Sequence, residues 1–542
     1  MPELDVAIVG SGHNALIAAA YLARAGRRVA VFERAAQAGG AVQTRDDVIP
    51  GCRIDVGSSA HILIHLTPIL GELDLARHGL RYVDCDPWAW YPLEDGRAIE
   101  FWKDVDRTCR SIAAVSPRDA EAYRRFVDEW RPMSRAVLKA FLAPPAPGRV
   151  AWSMASAGGF RSGGMERLRT ILGSYRALLD ATFEHPAVRA AIEWMAAQSG
   201  PPPTELGSAP LAGWQALYHE SGVKRAVGGS GALSEALVAL IRAHGGEVHT
   251  SSPVRRILVE NGRAVGLEVG EGAEPGLPLD AEHRPPTGPT RTVRSRAVLA
   301  GCHVATTFGP LLAHAPEAAA LRERVRKLRI GNGFGMILRC LVNELPAYAG
   351  WEGDPRRGGD GAPGPMHRGL QLLCPPAPYL DRAWADHAAG VPARDPAVVA
   401  MTWSAVDPTL CPPGRHLLFL WAQYHPYALS GGRTWAGERA RAADGILRAT
   451  ARFAPNVPGS VEAMHIQTPA DLEREHGMYG GNVMHLEMGL DQMFFFRPLP
   501  ELAGYRTPIP GLFLTGASTH PGGGVFGASG RSAAEVVRKA LS

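Results

Sequence analysis

Gly10, Gly12 and Ala15 stand at the spacing G-x-G-x-x-A in the run DVAIVGSGHNA, directly after an apolar strand-like stretch and directly before an apolar-periodic helix. Those residues at that spacing bind a dinucleotide. The first glycine permits a tight turn, the second lets a pyrophosphate approach the backbone, and the small third residue keeps helix and sheet close. The free amides and dipole at the helix N-terminus then favour the phosphate charge. Glu33 closes a second strand-like run, roughly 20 residues further on, where a carboxylate accepts hydrogen bonds from a ribose hydroxyl and repels a 2′-phosphate.

Two further features select FAD over NAD. Gly39 and Gly40 follow Glu33 closely, a second place where backbone approaches the ADP moiety. The C-terminal run 511–531, GLFLTGASTHPGGGVFGASGR, reads as strand, Gly-rich loop and helix start. Backbone at Gly516, Gly522, Gly523, Gly524 and Val525 can lie against a planar ring. The helix dipole behind it stabilises negative charge at the N1–C2=O edge of reduced flavin. Val254, at the head of a later strand, completes the predicted cofactor set.

Flavin chemistry calls for hydride removal from an activated C–H and loss of a proton. His61 and His520 are the candidate catalytic side chains, with Glu487 behind them, because an imidazole has the pKa nearest neutrality. A structural role for His61 and a flavin-positioning role for His520 are the alternatives. His61 and His65 have the i,i+4 spacing of a metal pair but no third histidine or carboxylate beside them, so no metal is expected. No G-x-S-x-G elbow supports a serine hydrolase. The seven cysteines are scattered without a C-x-x-C, which suits free thiols.

The elements that must position these residues lie at opposite ends of the chain. At 542 residues the chain exceeds the ~250–300 at which one core stops growing. The expected fold class is α/β: a discontinuous Rossmann-like FAD-binding domain (1–77, 222–309 and 478–542) with an inserted mixed α+β substrate domain (78–221 and 310–477). Residues 104–221 are helical in period, broken at Pro201–Pro203. Residues 248–269 read as strand, a turn at Asn261-Gly262, and strand. Stretches 143–148, 270–290 and 352–365 read as loops by composition.

A net charge of +4 from 57 basic and 53 acidic residues argues against a nucleic-acid partner. The chain opens without a basic, apolar leader and carries no run of ~18 apolar residues, so the expected location is cytoplasmic.

The fingerprint with its Gly-His-Asn, the Gly39-Gly40-Ala41-Val42 and DVGSSAH (55–61) segments, GGSGAL (228–233), HLEMGLDQMFFFRP (485–498) and TGASTHPGGG (515–524) together resemble the phytoene-desaturase-related flavoproteins. Within them the chain is most similar to the flavin-type carotenoid ketolases; desaturases proper usually have Gly-Gly-Arg where Ala41 stands here. The resemblance spans nearly the whole chain, loosely in its middle third. It implies non-covalent FAD, a large apolar substrate, an electron acceptor such as O2 or a quinone, and peripheral attachment to a membrane. The helical stretch between Val137 and Met195 would supply that attachment, or else form a buried core. Oxidation of a carotenoid-like polyene and oxidation of a polyketide or terpenoid intermediate both remain open. A non-catalytic, lipid-carrying flavoprotein is disfavoured by the complete set of FAD motifs.

Overall fold

The computed structural model describes residues 3–146, 148, 164–275, 288–349 and 362–542. Strand Leu4–Val9 is buried at every position, as the centre of a parallel sheet requires. Val29–Phe32 and the end of Thr290–Ala300 flank it in parallel. Glu247–His249 and Leu512–Leu514 add the outer parallel strands. The sheet therefore joins strands from both chain ends.

Side chains alternate across a strand, so Val6 and Ile8 pack on helices His13–Arg24, Ala232–Ala243 and Ala528–Leu541, while Ala7 and Val9 face Ile257, Leu267 and Phe308. The opposite layer is an antiparallel meander: Val254–Glu260 pairs with Arg263–Gly270, which pairs with the start of Thr290–Ala300. Asn261 and Gly262 both have positive φ, 49° and 72°, the conformation that a two-residue hairpin demands. The strand predicted from residue 248 is in fact two. Glu247–His249 ends in the parallel sheet, and Ser251, at φ 48°, and Pro253 redirect the chain into the meander.

A second sheet runs in the order Val461–Gln467, Met336–Val342, His416–Gln423, Ala397–Thr402, Leu370–Leu373, Ala89–Pro92, Ala98–Phe101. One face carries helix Trp435–Ala451. The other packs on a helical layer that includes Val105–Ala113, Pro117–Phe141 and Pro186–Ala197. These helices begin as their sequences direct: Asp104 accepts from Asp106 N–H and Arg107 N–H, and Ser116 caps a helix with Pro117 in its first turn. The chain passes between the two sheets along the paired strands Tyr82–Cys85 and Val223–Ala226. Of the predicted loops, residues 147, 276–287 and 352–361 lie outside the described residues, as do 149–163 of the stretch between Val137 and Met195.

Candidate active site

One cavity of about 840 Å³ runs from the fingerprint to the second sheet. Gly10, Gly12, Glu33, Gly40, Val254, Gly516, Gly524 and Val525 all line it, which brings residues more than 500 positions apart to one wall. Gly10 sits at φ +80°, the turn that only glycine adopts freely. A Cβ on Gly12 would meet nothing within 4 Å, so the fingerprint opens straight into the cavity. Ala15 is fully buried, and a Cβ on Gly301 would come 2.6 Å from its methyl group: helix and strand touch there.

Glu33 organises the loop. Its carboxylate accepts from Ser11 N–H at 2.8 Å, Ser11 Oγ at 2.7 Å and Ala35 N–H at 2.9 Å. A carboxylate offers about four acceptor sites, so capacity is left for a ribose hydroxyl. Gly39 N–H donates to Ser11 as well, which ties the second glycine pair to the first, although Gly39 itself does not line the cavity. Asn14 Oδ1 accepts from Gly530 N–H at 3.2 Å and clamps the first helix to the last. These features fit FAD: an open glycine cradle, two helix N-termini and a carboxylate with spare acceptor sites.

The other C-terminal glycines serve a different purpose. A Cβ on Gly523 would lie 2.6 Å from Met484 Cα, and one on Gly522 would lie 3.2 Å from Met488 Sδ. Both make room for the 483–488 loop and neither lines the cavity. Their expected direct contact with the ring is corrected to support of the loop.

The candidate catalytic histidines do not reach the cavity. His61 is fully buried, with Nδ1 2.8 Å from Tyr82 Oη and Nε2 2.8 Å from Ser230 Oγ. Burial, then the Arg225 charge, push its pKa well below the usual value. Both ring nitrogens are committed to protein partners, so His61 has no site left for a substrate proton. His520 is buried against Phe141 and Phe494, with Nε2 3.3 Å from Ala140 O. Burial pushes its pKa down to about 4. Glu487 pairs with Arg329 at 3.3 Å, outside the cavity lining. His65 packs edge-on against Tyr82, their ring centroids 4.4 Å apart.

Four other histidines, His13, His303, His476 and His485, do line the cavity. His303 and His485 stack with centroids 5.3 Å apart and planes 14° apart. Ala305 N–H donates to His303 Nδ1, and His303 Nε2 donates to His485 O at 3.0 Å, which sets the neutral tautomer. His485 holds φ +66°, a left-handed conformation that costs roughly 1–2 kcal/mol outside glycine. The Asn482 side chain supports it by accepting from Met484 N–H at 2.8 Å. No spacing rule marks either histidine in the sequence.

The far wall belongs to the second sheet. Ile337, Leu370, Val399, Met401, Phe419 and Trp421 line the cavity, and all six are apolar. Trp421 sits opposite both Ile337 and Val399 in register, and Met401 opposite Phe419. Gly335 makes space for the indole: a Cβ there would come 2.1 Å from the ring. Among the described residues of the helical layer between 104 and 221, only Gln198 contributes to the lining.

The family of flavin containing amine oxidoreductases matches residues 16–281. Pyridine nucleotide-disulfide oxidoreductase domain-containing protein 2 of Mus musculus is 32% identical, over 100% of this chain and 94% of its own length. A limonene dehydrogenase chain of Castellaniella defragrans is 27% identical over 99% and 94%. A lycopene-forming phytoene desaturase of a Paracoccus species is 24% identical over 97% and 95%. Among solved structures, an oxidoreductase from Methanosarcina mazei shares the fold with a TM-score of 0.60 at 17% identity, covering 98% of this chain and 99% of its own. The chain belongs to the flavin-containing amine oxidoreductase family, with phytoene desaturases among its relatives at low identity, and is an FAD-dependent oxidoreductase.

Proposed function

We propose that the protein oxidises an apolar substrate at a C–H bond that the substrate itself activates, as an allylic position does. The observation that carries this is the sheet-side wall, whose six side chains offer no polar group beyond the indole N–H of Trp421 and the weakly accepting thioether of Met401. When bound, FAD supplies the hydride acceptor. Ser11, Glu33 and Asn14 hold the cofactor's end of the cavity, and Ile337, Phe419 and Trp421 exclude water and orient the substrate. His485 is an imidazole at the wall whose Nδ1 has no hydrogen-bond partner; burial, and then the Arg497 charge, keep it neutral, the form that accepts a proton.

Small-molecule sites run to roughly 300–1,000 Å³. A cavity of about 840 Å³ that also holds FAD has room for the reacting segment of a polyene, or for a whole molecule of terpene size. A carotenoid-like polyene is the first reading. A terpenoid or polyketide intermediate is the second, and this shared volume favours it. Two relatives named for limonene and phytoene support an isoprenoid hydrocarbon in either case. Ketolation, which the carotenoid-ketolase likeness suggests, replaces two hydrogens on one carbon by an oxygen atom from O2 or water; desaturation only removes two hydrogens.

The test mixes the yellow protein anaerobically with limonene or with phytoene in detergent micelles and follows loss of flavin absorbance. Reduction by either hydrocarbon is expected. Reduction by an alkylamine and by neither hydrocarbon would defeat the reading. Repeating the productive reaction in labelled O2 separates the chemistries: a carbonyl product means ketolation, with the label present if the oxygen comes from O2 and absent if it comes from water, and a product lighter by two hydrogens means dehydrogenation.

Peripheral membrane contact belongs to the same proposal. Met165, Leu168 and Leu172 are exposed on helix Gly164–Leu172, which buries no residue. Gly207 N–H donates to Leu172 O, and a Cβ on Gly207 would lie 2.4 Å from Leu490, so exposed Leu206 and Leu490 continue the patch. A contiguous apolar patch of this kind marks an interaction surface.

A further inference from the structure

The run MFFFRPLP contains a residue that the cofactor motifs leave unused. Arg497 is fully buried. Its Nη1 donates to the carbonyls of Glu487 at 3.3 Å and Gln492 at 3.2 Å, and its Nη2 to those of Met484 at 2.6 Å and Ala517 at 3.0 Å. Its Nε has no partner and faces Gly522, where a Cβ would sit 3.5 Å away. Among the described residues no carboxylate forms an ion pair with it. Contrast Arg225, equally buried but bonded to Asp55. Burial pushes the Arg497 guanidinium down to about 9, so it is still a cation at neutral pH.

Burying a lone charge costs several kcal/mol even after relaxation. Carbonyl dipoles solvate this one, and they come from two loops that meet at the cavity. Met484 and Ala517 both line it. The guanidinium is therefore one peptide group behind the wall, at the junction of the 483–488 loop with the Gly516–Ala517 turn. A fixed charge in that position needs no reorganisation when opposite charge develops in front of it.

We propose that Arg497 is a positioning residue that sets a positive charge behind the flavin-side wall and so favours the ring in its negatively charged, reduced form. This rests on the reading that the flavin ring lies against Gly516 and the Gly524–Val525 turn. The residue has two separable roles. Its planar fork holds four carbonyls, and its charge acts on the cavity.

The experiment uses the holoenzyme and measures two quantities: the midpoint potential by equilibration with a reference dye, and the dissociation constant of sulfite. Sulfite forms a bond from its sulfur lone pair to flavin N5 and moves negative charge onto the N1–C2=O edge. It therefore reports positive charge near that edge. Wild type should bind sulfite and show a potential above that of free FAD measured alongside. Arg497→Met should bind sulfite at least tenfold more weakly and lose about 30 mV, the equivalent of tenfold for a two-electron couple. Arg497→Lys keeps the charge and loses the fork; it should hold both quantities near wild type while its melting temperature falls. Wild type without sulfite binding and with a potential no higher than free FAD overturns the proposal, whether or not the Met variant folds. So does a Met variant identical to wild type. A chain that retains no FAD defeats the cofactor placement itself, whereas one that holds FAD with an unshifted potential defeats only the role of Arg497.

Discussion

Replacing Glu33 by Gln removes one charge and leaves the volume nearly constant, so it isolates what the carboxylate does for the loop. Three donors converge on it, two from Ser11 and one from Ala35. An amide has one acceptor oxygen, and either orientation turns its own N–H toward at least one protein donor. The bonds that survive fall from charge-assisted to neutral, about 1 kcal/mol each, and the unsatisfied donor costs roughly 1–3 kcal/mol more. The expected loss is about 3 kcal/mol in the apoprotein, read from urea unfolding. Affinity for FAD should fall about tenfold, or about 1.4 kcal/mol, through the weaker acceptor for the ribose and the loosened Ser11 turn. An apoprotein within about 0.5 kcal/mol of wild type would refute the reasoning, because three donors cannot lose their anion without cost in a loop that is 7% exposed at Glu33. Lost stability with unchanged FAD affinity would leave Glu33 as a structural brace only.

Gly12→Asp should fold, since its φ of −56° suits any residue and a Cβ there enters open space. It should lose FAD on desalting, because the new carboxylate occupies the phosphate position; full flavin occupancy would refute the fingerprint's role. Gly523→Val should destabilise the apoprotein by about 1–3 kcal/mol, the usual cost of overpacking, because its Cβ collides with Met484 backbone. Unchanged melting with lost flavin would instead place the ring against Gly523. His303 and His367 each hold Nδ1 as an acceptor of a backbone N–H and Nε2 as a donor to a carbonyl, and burial lowers each pKa from 6.5 to about 4. A depressed folded pKa means that the unfolded chain binds more protons between those values. Stability is then full above pH 6.5, falls as pH drops toward about 4, and levels off below it. Urea melts across that window check it, and a flat profile would contradict the neutral tautomers.

The cofactor end of the molecule was legible in the sequence because its signals are local. A strand, a glycine turn and a helix between Leu4 and Arg24 leave the backbone one way to meet a phosphate. Glu33 follows from the same short unit. The turn at Asn261-Gly262 is likewise local, since positive φ at two successive positions selects these residue types. Gly522 and Gly523 look identical to Gly524 in the sequence, yet only Gly524 lines the cavity; which glycines meet a ligand and which meet Met484 is decided by the loop that packs there. His61 and His520 stood out as histidines near glycine motifs, but Tyr82, Ser230 and Phe494, which claim or bury their rings, arrive from distant segments. The same holds for His303, His485 and Arg497, whose meaning comes from partners on another loop. Periodicity identified a helical layer in residues 104–221 but not the face it turns to the cavity. The apolar wall comes instead from alternate residues of four strands set side by side. Each strand alone reads as ordinary core, and only their register, fixed by long-range pairing, makes one surface of Ile337, Val399, Phe419 and Trp421.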